Sequence, residues 1–257
     1  MRTTVRWPNR ACSILDAAKL DFYNTTRVEL VNDDAPSLST QRQRTSYVGA
    51  RTDSRPNEKR EATTSADALR LWREGVDPRD TPAETYLLSR RLKIGEDLAG
   101  EVLRWHPGFG ALMALFRDIQ TDEPRAVSRT FLDCEGRKLD RRFLGPTAGS
   151  AVKLDADDAA LEGLHIAEGV ETGMAARQFG LRPTWALGSA GAIAAFRVVA
   201  GIEALSILTD NDVNGVGERA AHAAEALWLV ACREVRVLMR DKPGDINDAL
   251  RELWSSR

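Results

Sequence analysis

The last hundred residues alternate between short apolar segments and helix-like segments. The apolar segments have the composition of buried strands, and they read "LHIAEG", "PTWALG", "ALSILTD" and "EVRVLMRD". Each is followed by a segment with helical character: "VETGMAARQFG", "AGAIAAF", "GVGERAAHAAEALWLVA" and "DINDALRELW". This alternation predicts an α/β domain over residues 159–257, built on a mostly parallel, doubly wound sheet. Because ligands of such sheets bind at the carboxyl ends of the strands, the polar residues found there are the candidates for function.

A segment of different character precedes it. Residues 65–158 begin with two helical patterns, "SADALRLWREG" with Ser65 as a plausible N-cap and "TPAETYLLSRRL" with Thr81 as cap and Pro82 in the first turn. Short alternating segments punctuated by Gly and Pro follow. The pattern predicts a small α+β subdomain with an antiparallel sheet. Residues 1–64 are rich in Ser, Thr, Arg, Asp and Asn without an apolar period, so we expect them to be disordered or weakly ordered.

Charge and cysteine content exclude several classes of protein. The net charge of the 257 residues is -2, which rules out nucleic-acid binding by bulk positive charge but leaves room for a local basic groove. The cysteines, Cys12, Cys134 and Cys232, are too far apart for a structural zinc site, so we expect no zinc. Sparse, unpaired cysteines favour a reducing cytoplasm. No run of about 18 apolar residues is present, so we expect no membrane span.

Acidic side chains recur at the predicted strand ends. Glu168 follows the first strand of the alternating region, Asp210 and Asp212 follow the third, and Asp245 lies after the fourth. Carboxylates brought together repel one another unless a cation compensates, and Mg²⁺ prefers such hard oxygen ligands. The pattern indicates a site for Mg²⁺ or Mn²⁺. The alternative stays open, since an Asp after a strand is commonly a turn residue or a helix N-cap.

A glycine pattern offers a second interpretation of the same stretch. "GVGERA", residues 215–220, matches G-x-G-x-x-A, and Asp241 lies about twenty residues further on, as a dinucleotide fingerprint requires. That fingerprint places its first Gly directly after the strand, whereas "DNDVN" intervenes here and its carboxylates would repel a pyrophosphate. We therefore expect the glycines to serve a turn and close helix packing.

The motifs "HIAEGVETGMAA", "SILTDNDVNGVGERAA" and "PGDINDAL" together resemble the Toprim domain, the metal-dependent catalytic module of bacterial primases, topoisomerases and some nucleases. Their form is most similar to the primases of plasmids, phages and integrative elements. The resemblance implies a DNA-primase-type nucleotidyltransferase that makes RNA primers with Mg²⁺ or Mn²⁺. It implies that Glu168, Asp210 and Asp212 are catalytic, and that these three residues with Asp245 hold the metal.

The stretch from "LRWHPG" to "SAVKL" is similar to the part of the catalytic core that precedes the Toprim module in those primases. By that resemblance, Arg129, Lys138, Arg141 and Arg142 would contact single-stranded DNA template or nucleoside triphosphates. The alternative is a set of solvated charges on edge strands.

Two features of such primases are missing from this sequence. It has no Cys or His cluster for a zinc module, and no GxxxxGK[ST] loop for an attached helicase motor, which would make a replicative helicase a separate partner. These departures keep two other functions open. One is a metal-dependent Toprim nuclease, and the other is a non-catalytic DNA-binding remnant of a primase.

Overall fold

The structure is a computed structural model, and it describes residues 20–23, 55–160 and 162–255. Within the N-terminal segment that we expected to be disordered, residues 20–23 form a strand and a helix begins at Arg55. The expectation for the other residues of that segment lies outside the described residues.

One ten-stranded sheet runs through the molecule. Its strand order is β1-β10-β9-β7-β8-β6-β3-β4-β5, and β2 pairs with β3 beside this path. The strands are β1 (Leu20–Tyr23), β2 (Leu103–His106), β3 (Ala111–Asp118), β4 (Pro124–Leu132), β5 (Lys138–Leu144), β6 (Ser150–Lys153), β7 (Gly163–Ala167), β8 (Thr184–Ala186), β9 (Ala204–Leu208) and β10 (Glu234–Arg240). The helices are α1 (Arg55–Glu74), α2 (Pro82–Ser89), α3 (Val170–Gln178), α4 (Ala190–Ala194), α5 (Val216–Val230) and α6 (Ile246–Ser255).

The C-terminal half is the predicted doubly wound unit. Strands β8, β7, β9 and β10 are parallel, and the helices between them return the chain so that each strand runs in the same direction. Side chains of α3 and α6 pack with Leu208 and Leu238 in one core cluster. Side chains of α4 and α5 pack with Ile207 and Val237 in a second cluster. Neighbouring residues on one strand point to opposite faces, so helices cover both faces of this sheet. The predicted fold class is confirmed.

The N-terminal half is antiparallel, as predicted. Strands β2, β4 and β6 all pair with β3, and β5 pairs with β4 at the outer edge. The sequence pattern did not indicate β5, because "KLDRRFL" carries four charged residues and lacks apolar alternation. An edge strand tolerates these charges since one side of it faces solvent.

The first helix of this half begins earlier than its sequence indicated. Ser65 lies inside α1, which begins at Arg55. The preceding "RPNEKREA" has a Pro suited to the first turn, followed by several residues of good helix propensity. It lacks the apolar stripe from which the helix was predicted, so the sequence pattern did not indicate this earlier start.

The two halves are joined through the sheet. Strand β6 pairs antiparallel with β8, with Val152 opposite Ala186 and Lys153 opposite Trp185. The boundary that we expect near residue 158 therefore separates two patterns of sequence within one continuous sheet, and its exact position stays a prediction. Within the described residues, no helix is long and apolar enough to cross a membrane.

Candidate functional site

Strand pairing brings the predicted acidic residues to one edge of the sheet. Ala167 at the end of β7 lies opposite Leu208 at the end of β9, so the chain leaves both strands at the same level, with Glu168 and Asp210 close behind. The loop after β9 is bonded to the loop after β10 by two hydrogen bonds between the backbones of Asn211 and Gly244, each 3.0 Å long. This bridge holds the loop of Asp210 beside Asp245.

Asp210 has the most perturbed environment in this group. Its carboxylate is partly buried, and its Oδ1 is a buried atom with no hydrogen-bond partner. Burial raises the pKa of Asp210 to about 7, with further contributions from the negative charges of Asp245, Glu168, Asp212 and Asp248. A partly buried carboxylate in a field of four others is the arrangement that a divalent cation stabilises. The donor set therefore fits Mg²⁺ or Mn²⁺.

The acidic side chains lie near one another but do not form a complete set of metal ligands. In the part of the chain that the structure describes, no three His, Cys, Asp or Glu side chains converge closely enough to hold a metal ion by themselves. Mg²⁺ is commonly bound through one or two carboxylates, with waters and substrate phosphates completing its octahedron. Waters, or ligand atoms from a substrate, would complete the coordination of a metal at this site.

Two of the acids also have the structural roles that the alternative interpretation proposed. Asp212 Oδ1 accepts a hydrogen bond of 3.0 Å from the amide of Val216 in the first turn of α5. Asp245 Oδ1 accepts one of 2.8 Å from the amide of Asp248 at the start of α6. Each cap uses only one oxygen of its carboxylate, and the second oxygen of Asp245 lies 3.7 Å from Arg90 Nη2. Asp248, which the sequence pattern did not single out, also contributes negative charge at Asp210.

The four basic candidates lie on opposite faces of the β4–β5 hairpin. Ser128 and Thr130 are paired with Phe143 and Arg141, and these four residues line one cavity together with Glu171. We call this the inner face. A register shift at the start of β5 places Lys138 opposite Leu132 on the same face, and its Nζ lies 3.4 Å from Glu171 Oε1.

The other two basic residues lie on the outer face. Arg129 is paired with Arg142, and the guanidinium groups of both lie over the ring of Phe131. The Arg142 side chain is also bound to Asp140, with 2.7 Å between Nε and Oδ2. The structure therefore brings Lys138 and Arg141 towards the acidic edge, and it does not bring Arg129 and Arg142 there.

A buried contact next to the acids was not visible in the sequence. Tyr86 of α2 donates a hydrogen bond of 2.7 Å from its hydroxyl to Glu171 Oε1 in the first turn of α3. Burial alone would raise the pKa of Glu171, but the positive charge of Lys138 and the Tyr86 hydrogen bond outweigh it and hold that pKa below its usual range. Sequence reasoning did not identify Glu171 as part of this group, because its partners Tyr86 and Lys138 are distant along the chain.

A second link between the halves lies beside it. Arg90, at the end of α2, has its Nη2 3.7 Å from Asp245 Oδ2, and its backbone carbonyl accepts a hydrogen bond of 2.9 Å from the fully buried Asn247. No local pattern in the sequence indicates these contacts, because they join residues that are far apart along the chain.

The glycines after β9 serve packing, as the sequence argument expected. Gly215 has φ of 60°, a left-handed conformation that favours glycine, immediately before α5. A Cβ on Gly217 would lie 2.6 Å from Thr209 Oγ1 and 3.0 Å from the carbonyl oxygen of Asp210. The missing side chain lets α5 approach the strand end closely, so Gly217 helps to fix the position of the Asp210 backbone.

A large cleft of about 970 Å³ lies elsewhere. It is lined by α4, the segment after it and the turn between β3 and β4, with Trp185 and Phe196 among its residues. None of the predicted acids or basic residues lines it, so its size does not identify the functional site.

Comparison with known proteins gives two family matches. Residues 163–253 match the model of the Toprim domain, and residues 62–154 match a domain of unknown function, DUF7146. No curated protein matches the chain.

Solved structures similar to this chain include three that contain primases. The first is a bacteriophage T7 complex of lagging-strand DNA polymerase with primase domains (17% identity, TM-score 0.42, 59% of this chain and 80% of that one). The second is a DNA primase domain from Pseudomonas aeruginosa (18% identity, TM-score 0.41, 68% of this chain and 57% of that one). The third is a DnaG primase catalytic domain bound to single-stranded DNA (14% identity, TM-score 0.49, 78% of this chain and 79% of that one). From the family match and from the parallel sheet with its acidic strand ends, residues 163–253 of this chain are a Toprim domain.

Proposed function

We propose that this protein is a DNA-primase-type nucleotidyltransferase that makes RNA primers on single-stranded DNA with Mg²⁺ or Mn²⁺. The observation that carries the proposal is the electrostatic environment of Asp210. Burial and four other carboxylates raise its pKa to about 7, at the ligand-binding edge of a Toprim sheet. The inner face of the β4–β5 hairpin, with Lys138 and Arg141, adjoins the start of α3 next to this edge. Negative groups for a metal and positive groups for phosphates thus lie on adjacent surfaces.

The residues would divide the chemistry as follows. Asp210 and Asp212 would hold the cation, and Asp245 would support it directly or through water. When bound, the cation neutralises charge on the triphosphate during phosphoryl transfer. Glu168 would take the proton from the attacking 3′-hydroxyl, or would serve as a further ligand.

The inner-face cations have a separate role in the proposal. Lys138 and Arg141 would bind phosphates of the incoming nucleotide or of the template. Arg129 and Arg142 are left out of the proposed contacts, because they lie on the outer face of the hairpin, the face opposite to that of Arg141 and Lys138. A replicative helicase would be a separate protein that delivers the single strand. The similarity to plasmid, phage and integrative-element primases supports a proposed origin in a mobile element.

A primer-synthesis assay tests this function. The protein is incubated with single-stranded DNA, ribonucleoside triphosphates and Mn²⁺ or Mg²⁺, and labelled oligoribonucleotides are resolved on a gel. We expect metal-dependent products from the wild type and at least a hundred-fold less from Asp210→Ala, since removal of a group that stabilises transition-state charge costs about that much. Asp241→Ala is the matched control, because Asp241 is an exposed aspartate in the loop after β10.

Two results would replace this proposal. Metal-dependent degradation of labelled DNA in the absence of nucleotides, with the same dependence on Asp210, would indicate a Toprim nuclease. DNA binding without synthesis or cleavage, unchanged when Glu168, Asp210 and Asp212 are all replaced, would indicate a non-catalytic DNA-binding protein.

A further inference from the structure

The inner face of the β4–β5 hairpin carries an aromatic side chain whose position favours contact with a ligand. Phe143 lies on β5, opposite Ser128, and it is 38% exposed. It is held from behind by the fully buried Phe116, whose ring meets it edge-on at 5.8 Å between centroids and 80° between planes. An aromatic ring that is exposed yet held by packing offers a flat surface at low entropic cost.

Cations flank this ring. The Arg141 guanidinium lies over the Phe143 ring, with its central carbon 5.4 Å from the ring centre. Lys138 lies on the same face, and its side chain is 38% exposed beside Glu171. An aromatic surface next to Arg and Lys is the combination that binds a single strand, because bases stack on the ring while the cations contact the backbone phosphates.

Phe143 also lies beside the acidic edge. A Cβ built on Gly188, two residues after the end of β8, would lie 3.5 Å from the Phe143 ring. The amide of Gly188 donates a hydrogen bond of 2.8 Å to the carbonyl of Glu168. The ring is thus connected through one glycine to the backbone of the proposed general base.

We infer that Phe143 is a base-stacking residue that holds one nucleobase of a single-stranded DNA template next to the acidic edge, with Arg141 and Lys138 on the adjoining phosphates. This inference rests on the proposed function and adds to it the residue that positions the template base.

Equilibrium binding tests the inference without requiring catalysis. A fluorescein-labelled oligodeoxythymidylate is titrated with the wild type, Phe143→Ala, Phe143→Trp and Phe109→Ala, and binding is followed by fluorescence anisotropy. We expect Phe143→Ala to weaken binding roughly five-fold or more, and Phe143→Trp to bind at least as well as the wild type. Phe109→Ala is the matched control. Phe109 is a 55% exposed phenylalanine in the turn between β2 and β3, and its replacement should leave binding like that of the wild type.

A second probe separates stacking from charge. An oligonucleotide of the same length and charge, made of abasic sites, keeps its phosphates and lacks the bases. We expect the wild type to bind it more weakly than oligodeoxythymidylate, and Phe143→Ala to cause no further loss. Duplex DNA, whose base faces are covered, should likewise show no dependence on Phe143.

Several outcomes would overturn the inference. One is an affinity of Phe143→Ala for the oligodeoxythymidylate equal to that of the wild type, and another is an equal loss of affinity for the normal and the abasic strand. Failure of Phe143→Trp to bind the oligodeoxythymidylate, or absence of single-stranded DNA binding by the wild type, would also overturn it. The primer-synthesis assay is independent of these outcomes. Metal-dependent synthesis that Phe143→Ala leaves unchanged would uphold the proposed function while removing Phe143 from it.

Discussion

Replacing Asp210 with Asn should stabilise the metal-free protein while removing its response to metal. The folded-state pKa of Asp210 is about 7, against 3.8 for an unperturbed aspartate. The difference is about three pKa units, and each unit corresponds to about 1.4 kcal/mol, so the ionised Asp210 lowers folding stability by about 4 kcal/mol at most.

The pH window follows from the direction of this shift. Because the folded-state pKa lies above the unfolded-state value, the folded protein holds the proton more tightly. The stability that this proton contributes is fully present below about pH 4 and is lost as the pH rises through 7. Of the total of about 4 kcal/mol, roughly 2–3 kcal/mol is lost between pH 5 and pH 8. The Asp210→Asn variant has no proton to lose at this position, so its stability advantage over the wild type should grow across this interval.

Urea denaturation in EDTA at pH 5 and pH 8, repeated with about 10 mM Mg²⁺ at pH 8, measures both effects. The wild type should gain about 3 kcal/mol when the metal is at about a hundred times its dissociation constant, and Asp210→Asn should gain far less. The exposed Asp241 provides the control, since Asp241→Asn should follow the wild type throughout. A variant with the same pH slope as the wild type, or with an equal gain from Mg²⁺, would refute the electrostatic account of this site.

Three further predictions concern the framework around the site. Asp155→Ala should lower the free energy of unfolding, measured by urea denaturation, by about 3–5 kcal/mol. Asp155 is a buried carboxylate that binds Arg177 at 3.0 Å, and its removal leaves a buried cation without this partner. A decrease below about 1 kcal/mol would contradict this. Gly217→Ala should lower the free energy of unfolding by about 1–3 kcal/mol, because the added Cβ would meet Thr209 Oγ1 at 2.6 Å. Gly191→Ala should change it by less than about 1 kcal/mol, because a Cβ there lies no closer than 3.9 Å to any atom beyond the adjacent residues and the backbone of its own helix. Equal effects of the two substitutions would contradict the packing argument. The two halves should unfold in one calorimetric transition, because a single core cluster contains side chains of both; two separate transitions would disprove that coupling.

The C-terminal sheet could be predicted from sequence because its information is local. Each strand of this half is a short apolar run, each helix follows within a few residues, and parallel strands place Glu168 and Asp210 at one edge whatever the details of packing. The fold class therefore followed from the pattern. The same reasoning considered only residues that directly follow strands, and it therefore missed Asp248. This residue lies in the first turn of α6, and its negative charge helps to raise the pKa of Asp210.

The remainder of the site depends on register and on long-range contacts. The regular pairing of β5 with β4 places Arg141 and Arg142 on opposite faces, and the register shift near the start of β5 places Lys138 on the same face as Arg141. Charged β5 itself lacks the alternation that marks a strand. The contact of Tyr86 with Glu171 joins α2 to α3 over a separation of 85 residues along the chain, and no local pattern encodes such a pair.

These long-range contacts join the upstream half to the proposed site. Glu171 begins the helix that follows Glu168, and it is held by Tyr86 and Lys138, both from the N-terminal half. Asp245 begins the helix that follows β10, and the Arg90 side chain lies against it. Each of these helix starts is thus fixed by a residue from outside the Toprim domain. A Toprim domain supplies carboxylates at its strand ends, but here their orientation and net charge depend on cations and a hydroxyl from the preceding domain. We therefore propose that the functional unit is the pair of domains, because Tyr86, Lys138 and Arg90 of the upstream half contact Glu171 and Asp245.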